Sequence, residues 1–234
     1  MKFASQLENG TFLRRYLRFF ADIQWRDQTI KAHVANTGSL KGCNIPQRPC
    51  LFSVSDDPKR KLKYSLEMIQ VPGGAWVGVN TSIPNKIVKE ALEEGRLPHW
   101  RGIESIKPEA KISAETRFDF AVQFAGRKTR HYIEVKNVTL AEDRRAMFPD
   151  AVTTRGQKHL RELMRLVEEG HTAELVFTIQ RDDVDVFSPA DDIDPEYGSL
   201  LRHAIEAGVR VTPLLVELSP TEVRLTDRLI PLEI

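Results

Sequence analysis

Cysteine is scarce in this chain of 234 residues, with only Cys43 and Cys50. Their spacing gives neither a C-x-x-C redox pair nor a zinc-ligand set, so no disulfide framework or structural zinc is expected, only two reduced thiols. An excess of one charge is also missing. The 34 Lys and Arg residues are balanced by 33 Asp and Glu, a net charge of +1. Global electrostatics therefore gives no support for a polyanionic partner, and any such case rests on local clusters. No run approaches the roughly 18 apolar residues that a membrane span needs. The N-terminal stretch has no continuous apolar segment and no small-residue cleavage pattern. A cytoplasmic protein with no membrane partner is expected. There is no repeat, no Gly-rich phosphate loop, no Rossmann fingerprint and no acyl-transfer triad, which argues against an enzyme of sugar metabolism built on those devices.

Apolar residues make up 41% of the chain and charged residues 29%, an ordinary balance for a molecule with a buried core. The first third reads as β. Leu13 to Ile23 alternates, with Leu13, Leu17 and Phe19 expected inward and Arg14, Tyr16 and Arg18 outward. Thr29–Val34, Leu51–Ser55, Leu62–Val71 and Ala75–Val79 follow, separated by turn-forming Asp-Asp-Pro and Pro-Gly-Gly. Five short strands in this span predict a small OB-like barrel. The period then changes. Pro84 to Gly95 has helical spacing at Ile87, Val88, Ala91 and Leu92. Thr154 to Glu169 repeats it at Leu160, Leu163, Met164 and Val167, and Pro195 to Ala207 gives a third helix. Strands are expected at Ile103–Ile106, Thr116–Phe124, His131–Val138, Glu174–Gln180 and Val209–Leu218. Three strands in succession, followed by alternating helix and strand, predict a mixed sheet with helices on its faces.

The most informative segment is Thr116 to Val138. Phe118, Phe120, Val122 and Phe124 alternate with Arg117, Asp119, Ala121 and Gln123. A two-residue turn at Gly126-Arg127 would pair Ala125 with Lys128, Asp119 with Glu134 and Arg117 with Lys136. That register buries the apolar residues with Ile133 and Val135 and gathers Asp119, Glu134 and Lys136 on one face, whereas a one-residue slip breaks both patterns. Two carboxylates directly opposite one another repel by roughly 0.2–1 kcal/mol even when exposed. A divalent cation, Mg²⁺ or Mn²⁺, turns that repulsion into ligation, and it can acidify a water beside a phosphate. Lys136 returns to the same face to orient the water or to offset charge at phosphorus. This is the pattern of a PD-(D/E)xK nuclease-type site, although a solvated strand face with a local ion pair has the same spacing. Glu90, on the preceding helix, is the leading candidate for a further metal ligand, ahead of Glu93, Glu94 and Glu109. Gln157, on the helix after the hairpin, is a candidate polar residue for the same site. His159 reads as a structural hydrogen-bonding residue.

Basic clusters supply candidate nucleic-acid contacts. Arg15, Tyr16 and Arg18 place cations beside an aromatic ring, a combination suited to a single strand. Lys59, Arg60 and Lys61 form a dense turn cluster suited to phosphates. Arg155 and Lys158 begin a basic stripe with Arg161 and Arg165. Each cluster is equally compatible with a solvated surface. Asn36, Thr37, Asn80 and Thr81 either cap turns or line a cleft between domains.

Several blocks carry a family resemblance: Arg15-Tyr16-x-Arg18-Phe19, Asn36-Thr37-Gly38-Ser39, Val79-Asn80-Thr81, Arg117-Phe118-Asp119-Phe120, Ile133 to Leu140, Phe148 to Thr153 and Arg155 to Leu160. The chain resembles the bacterial sugar fermentation stimulation protein (SfsA) family along essentially its whole length. Gln47, Asp57 and Ser113 depart from the family's usual residues, all in expected turns. The resemblance implies an OB-like domain over 1–80, a restriction-endonuclease-like αβ domain with a mixed sheet over 81–234, DNA as partner, and a role in expression of sugar-utilisation genes. It places Asp119, Glu134 and Lys136 on a nuclease-like motif and Glu90 on the helix before it. A metal-dependent DNA phosphodiesterase is the leading expectation. A non-catalytic DNA-binding regulator that keeps the fold is the alternative. Oligomeric state is left open, a homodimer among the options.

Overall fold

The computed structural model of the chain describes residues 1–113 and 116–234. Strands β1 (Glu8–Tyr16), β2 (Phe20–Trp25), β3 (Gln28–His33), β4 (Arg48–Val54) and β5 (Tyr64–Gln70) close into a ring. The ring order is β1-β2-β3-β5-β4, completed by the parallel β3–β5 contact, and the short β6 (Trp76–Gly78) extends β5. Closure removes free sheet edges and points Phe12, Ile23, Phe52 and Leu66 into a common core. This is the expected OB-like barrel. Both cysteines lie in its core as free thiols, and burial pushes them up to about 11 (Cys43) and about 12 (Cys50), so neither is a reactive thiolate.

The single strand expected over Leu13–Ile23 is instead a hairpin. Leu17 and Arg18 both take positive φ (47° and 63°) and reverse the chain, so that Tyr16 pairs with Phe20 and Arg15 with Ala21. Leu17 and Phe19, expected inward, stand 77% and 41% exposed at the tip.

The second unit is a six-stranded mixed sheet. Its order is β15 (Val223–Leu229), β14 (Arg210–Leu218), β12 (Thr172–Ile179), β9 (Arg130–Val138), β8 (Arg117–Phe124) and β7 (Ile103–Lys111). The three central strands β14, β12 and β9 run parallel, and the outer pairings are antiparallel. Helix α1 (Pro84–Glu93) buries Ile87, Val88, Ala91 and Leu92 against one face. Helices α2 (Thr154–Glu168) and α3 (Pro195–Glu206) cover the other with Leu160, Leu163, Tyr197 and Leu201. The N-caps explain where these two helices start: the side chain of Thr153 accepts from the Gly156 amide, and that of Asp194 from the Tyr197 amide. Strand β15 and a small sheet of β10 (Leu140–Glu142), β11 (Arg145–Phe148) and β13 (Val186–Pro189) were not anticipated. Among the described residues no helix is long and apolar enough to cross a membrane.

The two units are tied closely. The Gly78 amide donates to the Gln180 carbonyl at 2.9 Å, and the Gln180 side-chain amide packs against the Gly78 Cα. Ser39 donates to the Asp150 carboxylate through both its amide and its hydroxyl, each at 2.9 Å. The first residues of the chain pack with the second unit, where the Phe3 and Leu7 amides donate to the Thr221 and Pro220 carbonyls. Asn36, Thr37 and Thr81 line a cleft between the units, while Asn80 caps the following turn through Ser82. Both readings of this polar set therefore hold, for different residues.

Candidate active site

The hairpin has the expected register but a different turn. Phe120 pairs with Ile133, Ala121 with Tyr132, Val122 with His131 and Gln123 with Arg130. Residues 125–129 form a longer loop in place of the two-residue turn, with Gly126 at φ 72°. The ladder stops one pair short of Asp119 and Glu134. There the Asp119 Oδ2 accepts from the Val135 amide at 2.7 Å, and its Oδ1 accepts from Asn85 Nδ2 of α1 at 2.6 Å. The side chain takes the place of a ladder bond, and the regular alternation ends. Phe118, expected beside Phe120, lies on the other face of the sheet, where its ring meets those of Tyr132 and His159.

Glu134 points toward α2 and is 4% exposed. Its Oε1 accepts from Lys136 Nζ at 2.6 Å and from His159 Nδ1 at 2.5 Å, and the Lys and His nitrogens are 3.3 Å apart. A buried carboxylate with these donors is ionised, so Nδ1 carries the proton. Burial pushes Glu134 up, but the Lys136 charge and the His159 hydrogen bond outweigh it, and the group sits below its ordinary value. Asp119 behaves oppositely. Burial and the nearby Glu134 charge push it up to about 6, against the lowering influence of the Val135 amide, Asn85 and Lys136.

Among the described residues no three His, Cys, Asp or Glu side chains converge as a ready metal cage. Asp119, whose ionisation is opposed by burial and by the neighbouring Glu134 charge, suits a hard divalent ion that keeps several waters. A cation beside Asp119 would offset the cost that burial and Glu134 impose on its charge. A cleft of about 370 Å³ opens over His159, walled by Lys111, Arg117, Arg155 and Lys158, with Glu109 at 3.4 Å from Arg117. Four cations thus line a cleft that reaches His159, the hydrogen-bond partner of Glu134.

The other candidates divide. Glu90 is bound by the Met1 ammonium at 2.5 Å, on a different side of α1 from Asn85, and does not join Asp119. Gln157 donates to the Asp194 cap of α3 at 2.9 Å. Two residues along a helix turn a side chain by about 200°, so His159 reaches the site and Gln157 does not. Arg15 donates to the carbonyls of Arg18, Asn36 and Gly38 at 2.7, 2.6 and 2.9 Å, holding the barrel's loop together. The Tyr16 hydroxyl donates to Asp22, and its ring stacks on Phe20 with Arg14 and Lys31 alongside. Arg18 is exposed in the hairpin turn. Lys59, Arg60 and Lys61 are exposed in one loop, where Arg60 also donates to Ser65 Oγ. Arg155 and Lys158 stand at the basic cleft. Sequence reasoning missed Asn85 and gave His159 no place in the site. Asn85 beside the helix-opening Pro84 was a readable polar residue at a helix start. His159, next to Leu160 on the apolar side of α2, carried no separate signal.

Comparison with known proteins matches both units. The family model described as the SfsA N-terminal OB domain covers residues 13–79, and that described as the sugar fermentation stimulation protein RE domain covers residues 82–222. A sugar fermentation stimulation protein homolog of Bdellovibrio bacteriovorus is 58% identical, with 100% of each chain covered. The homolog of Geobacter metallireducens is 47% identical over 98% of each chain. A solved structure, that of Pyrococcus furiosus SfsA in complex with Ca²⁺, is similar with a TM-score of 0.88 at 30% identity, covering 100% of this chain and 98% of that one. The barrel, the mixed sheet and their order along the chain agree with these matches: the chain belongs to the sugar fermentation stimulation protein family.

Proposed function

We propose that the chain binds DNA and hydrolyses phosphodiester bonds using a divalent cation, Mg²⁺ or Mn²⁺, held by Asp119 and Glu134. The observation that carries this reading is the buried carboxylate pair itself, with Asp119 pushed up to about 6 by burial and Glu134, and with Lys136 Nζ at 2.6 Å from Glu134. The Ca²⁺ complex of the Pyrococcus furiosus relative supports a divalent-ion site. When bound, the cation supplies positive charge for a phosphate oxygen and acidity for a water. Asn85 and the Val135 amide orient Asp119, and His159 orients Glu134, so both carboxylates are fixed before a ligand arrives. Lys136 contributes a hydrogen-bond donor and a positive charge toward the phosphate as negative charge grows on it. Arg155 and Lys158, with Lys111 and Arg117, guide the DNA backbone over the cleft. The N-terminal unit, whose barrel begins at Glu8, adds the exposed hairpin at Tyr16 and Arg18 and the Lys59–Lys61 loop as strand contacts, while residues 81–234 carry the chemistry.

The test is incubation of end-labelled single- and double-stranded DNA with Mg²⁺ or Mn²⁺. Cleavage that disappears without cation and in Asp119→Ala, while DNA binding is kept, supports the proposal. Normal binding with no strand loss on either substrate would leave the chain a regulator that retains the fold.

A further inference from the structure

A second charged cavity lies at the end of the main sheet where β9, β12 and β14 begin, and encloses about 290 Å³. Arg101, Arg127, Arg210, His99 and His131 line it, and among the described residues no carboxylate does. In a chain of net charge +1 this is a concentrated deposit of positive charge. Four other arginines are neutralised locally: Arg144 by Asp185, Arg161 by Glu196, Arg202 by Asp191 and Arg224 by Glu217. Among the described residues, Arg101, Arg127 and Arg210 form no such ion pair. They arrive from three separate elements. Arg101 follows the 3-10 turn Pro98–Trp100, Arg127 stacks over the Phe124 ring at 5.1 Å in the loop after β8, and Arg210 opens β14. Like charges brought together around one concavity repel, and a bound anion relieves that repulsion.

The floor of the cavity is fixed. Glu174 on β12 is fully buried and accepts from Trp100 Nε1 at 2.9 Å, His131 Nε2 at 2.9 Å, His99 Nε2 at 3.0 Å and the Thr212 hydroxyl. The acidic group is thereby spent beneath the cavity rather than within it. The second nitrogen of His131 meets Thr172 Oγ1 at 2.9 Å. This network lies on the α1 side of the sheet with Trp100, Phe124 and Ile133, while Glu134 faces α2. Neither Asp119, Glu134 nor Lys136 lines the cavity, which is therefore distinct from the carboxylate pair.

We infer that this cavity binds a phosphate monoester, gripped by the guanidinium groups of Arg101, Arg127 and Arg210. Arginine forks match pairs of phosphate oxygens. A monoester carries about −1.5 to −2 at neutral pH, which suits three unpaired cations better than the single charge of an internal phosphodiester. The volume has room for a phosphate and a small attached group. Two sources share this chemistry, a free small phosphate ester and the phosphorylated end of a nucleic-acid strand.

Calorimetric titration of the full chain separates them. The probes are inorganic phosphate, a nucleoside 5′-monophosphate, and a short oligonucleotide with either a 5′-phosphate or a 5′-hydroxyl. Saturable binding of the small probes, weakened about tenfold by Arg101→Gln or Arg210→Gln and unchanged in Asp119→Asn, supports the free-ester site. A preference for the 5′-phosphorylated oligonucleotide alone, lost in the same arginine variants, assigns the site to strand ends. Absence of saturable phosphate-dependent binding, or binding undiminished in the Arg101→Gln/Arg210→Gln double variant, overturns the proposal. The Asp119→Asn arm keeps this result independent of whether the carboxylate pair cleaves DNA.

Discussion

Asp119 and Val135 are joined side chain to backbone, with the carboxylate Oδ2 accepting from the amide at 2.7 Å where the β8–β9 ladder ends. An acidic group substitutes for a sheet bond, and a second donor, Asn85, holds its other oxygen. The carboxylate is thus oriented at the cost of partial burial beside Glu134.

That cost sets a pH dependence. Asp119 has a folded value of about 6 against an ordinary 3.8, so between those values the folded state holds a proton that the unfolded state has lost. Its contribution therefore favours folding as pH falls from 6 toward 4 and penalises folding above 6. Asp119→Asn is expected to stabilise the cation-free protein by about 2–3 kcal/mol at pH 7.5, with the gain shrinking toward pH 4. Urea unfolding of both proteins across this range measures it. Adding Mg²⁺ should close the gap by stabilising only the parent chain.

His159 is expected to matter through Glu134. Replacing it by Ala removes the Nδ1 donor from a buried carboxylate and leaves a void beside Phe118. The expected loss is about 2–4 kcal/mol by denaturant unfolding. Gln157→Ala, which touches only the α3 cap through Asp194, is expected to leave cleavage within a few-fold of the parent, checked by the same DNA assay.

Much of this geometry was legible in the residues, and what was hidden has identifiable causes. The β8–β9 register follows from period-two alternation, and the helices from their apolar spacing and caps. Phe118 escaped because the alternation ends where the Asp119 side chain takes the Val135 amide, a tertiary event. The reversal at Leu17-Arg18 carries none of the Gly, Asn or Pro residues that mark turns. Strand β15 reads Val-Arg-Leu-Thr-Asp-Arg-Leu, with charges that hide its pairing to β14. Glu90 was drawn away by the Met1 ammonium, which no local pattern reveals.

Glu174 offers a test of the buried network on the other side of the sheet. Burial pushes it up, but hydrogen bonds from His131 and His99 and their charges hold it far below the carboxylate range. Such a group stabilises the fold above its unfolded value of about 4.5, and the contribution is lost as pH falls below that point. Glu174→Ala strands four donors and is expected to cost about 3–5 kcal/mol at pH 7, with the difference narrowing in acid, as read by unfolding at both pH values.

Arg15 and Lys59 should behave differently although both belong to basic clusters. Arg15→Ala frees three backbone carbonyls and is expected to destabilise the barrel by about 1–3 kcal/mol, a loss seen in thermal unfolding. Lys59→Ala should leave stability within about 0.5 kcal/mol. It should weaken DNA binding and flatten its dependence on salt, measured by titration at several ionic strengths.

The most direct measurement is single-turnover cleavage of labelled DNA by the parent chain and by Lys136→Ala, in saturating Mg²⁺ or Mn²⁺. The expected result is metal-dependent cleavage by the parent and a rate lower by about 10²–10³-fold in the variant, with DNA affinity changed only a few-fold. Equal rates in the two proteins, or no cleavage by the parent chain when DNA and cation are both bound, would contradict a phosphodiesterase built on Asp119, Glu134 and Lys136.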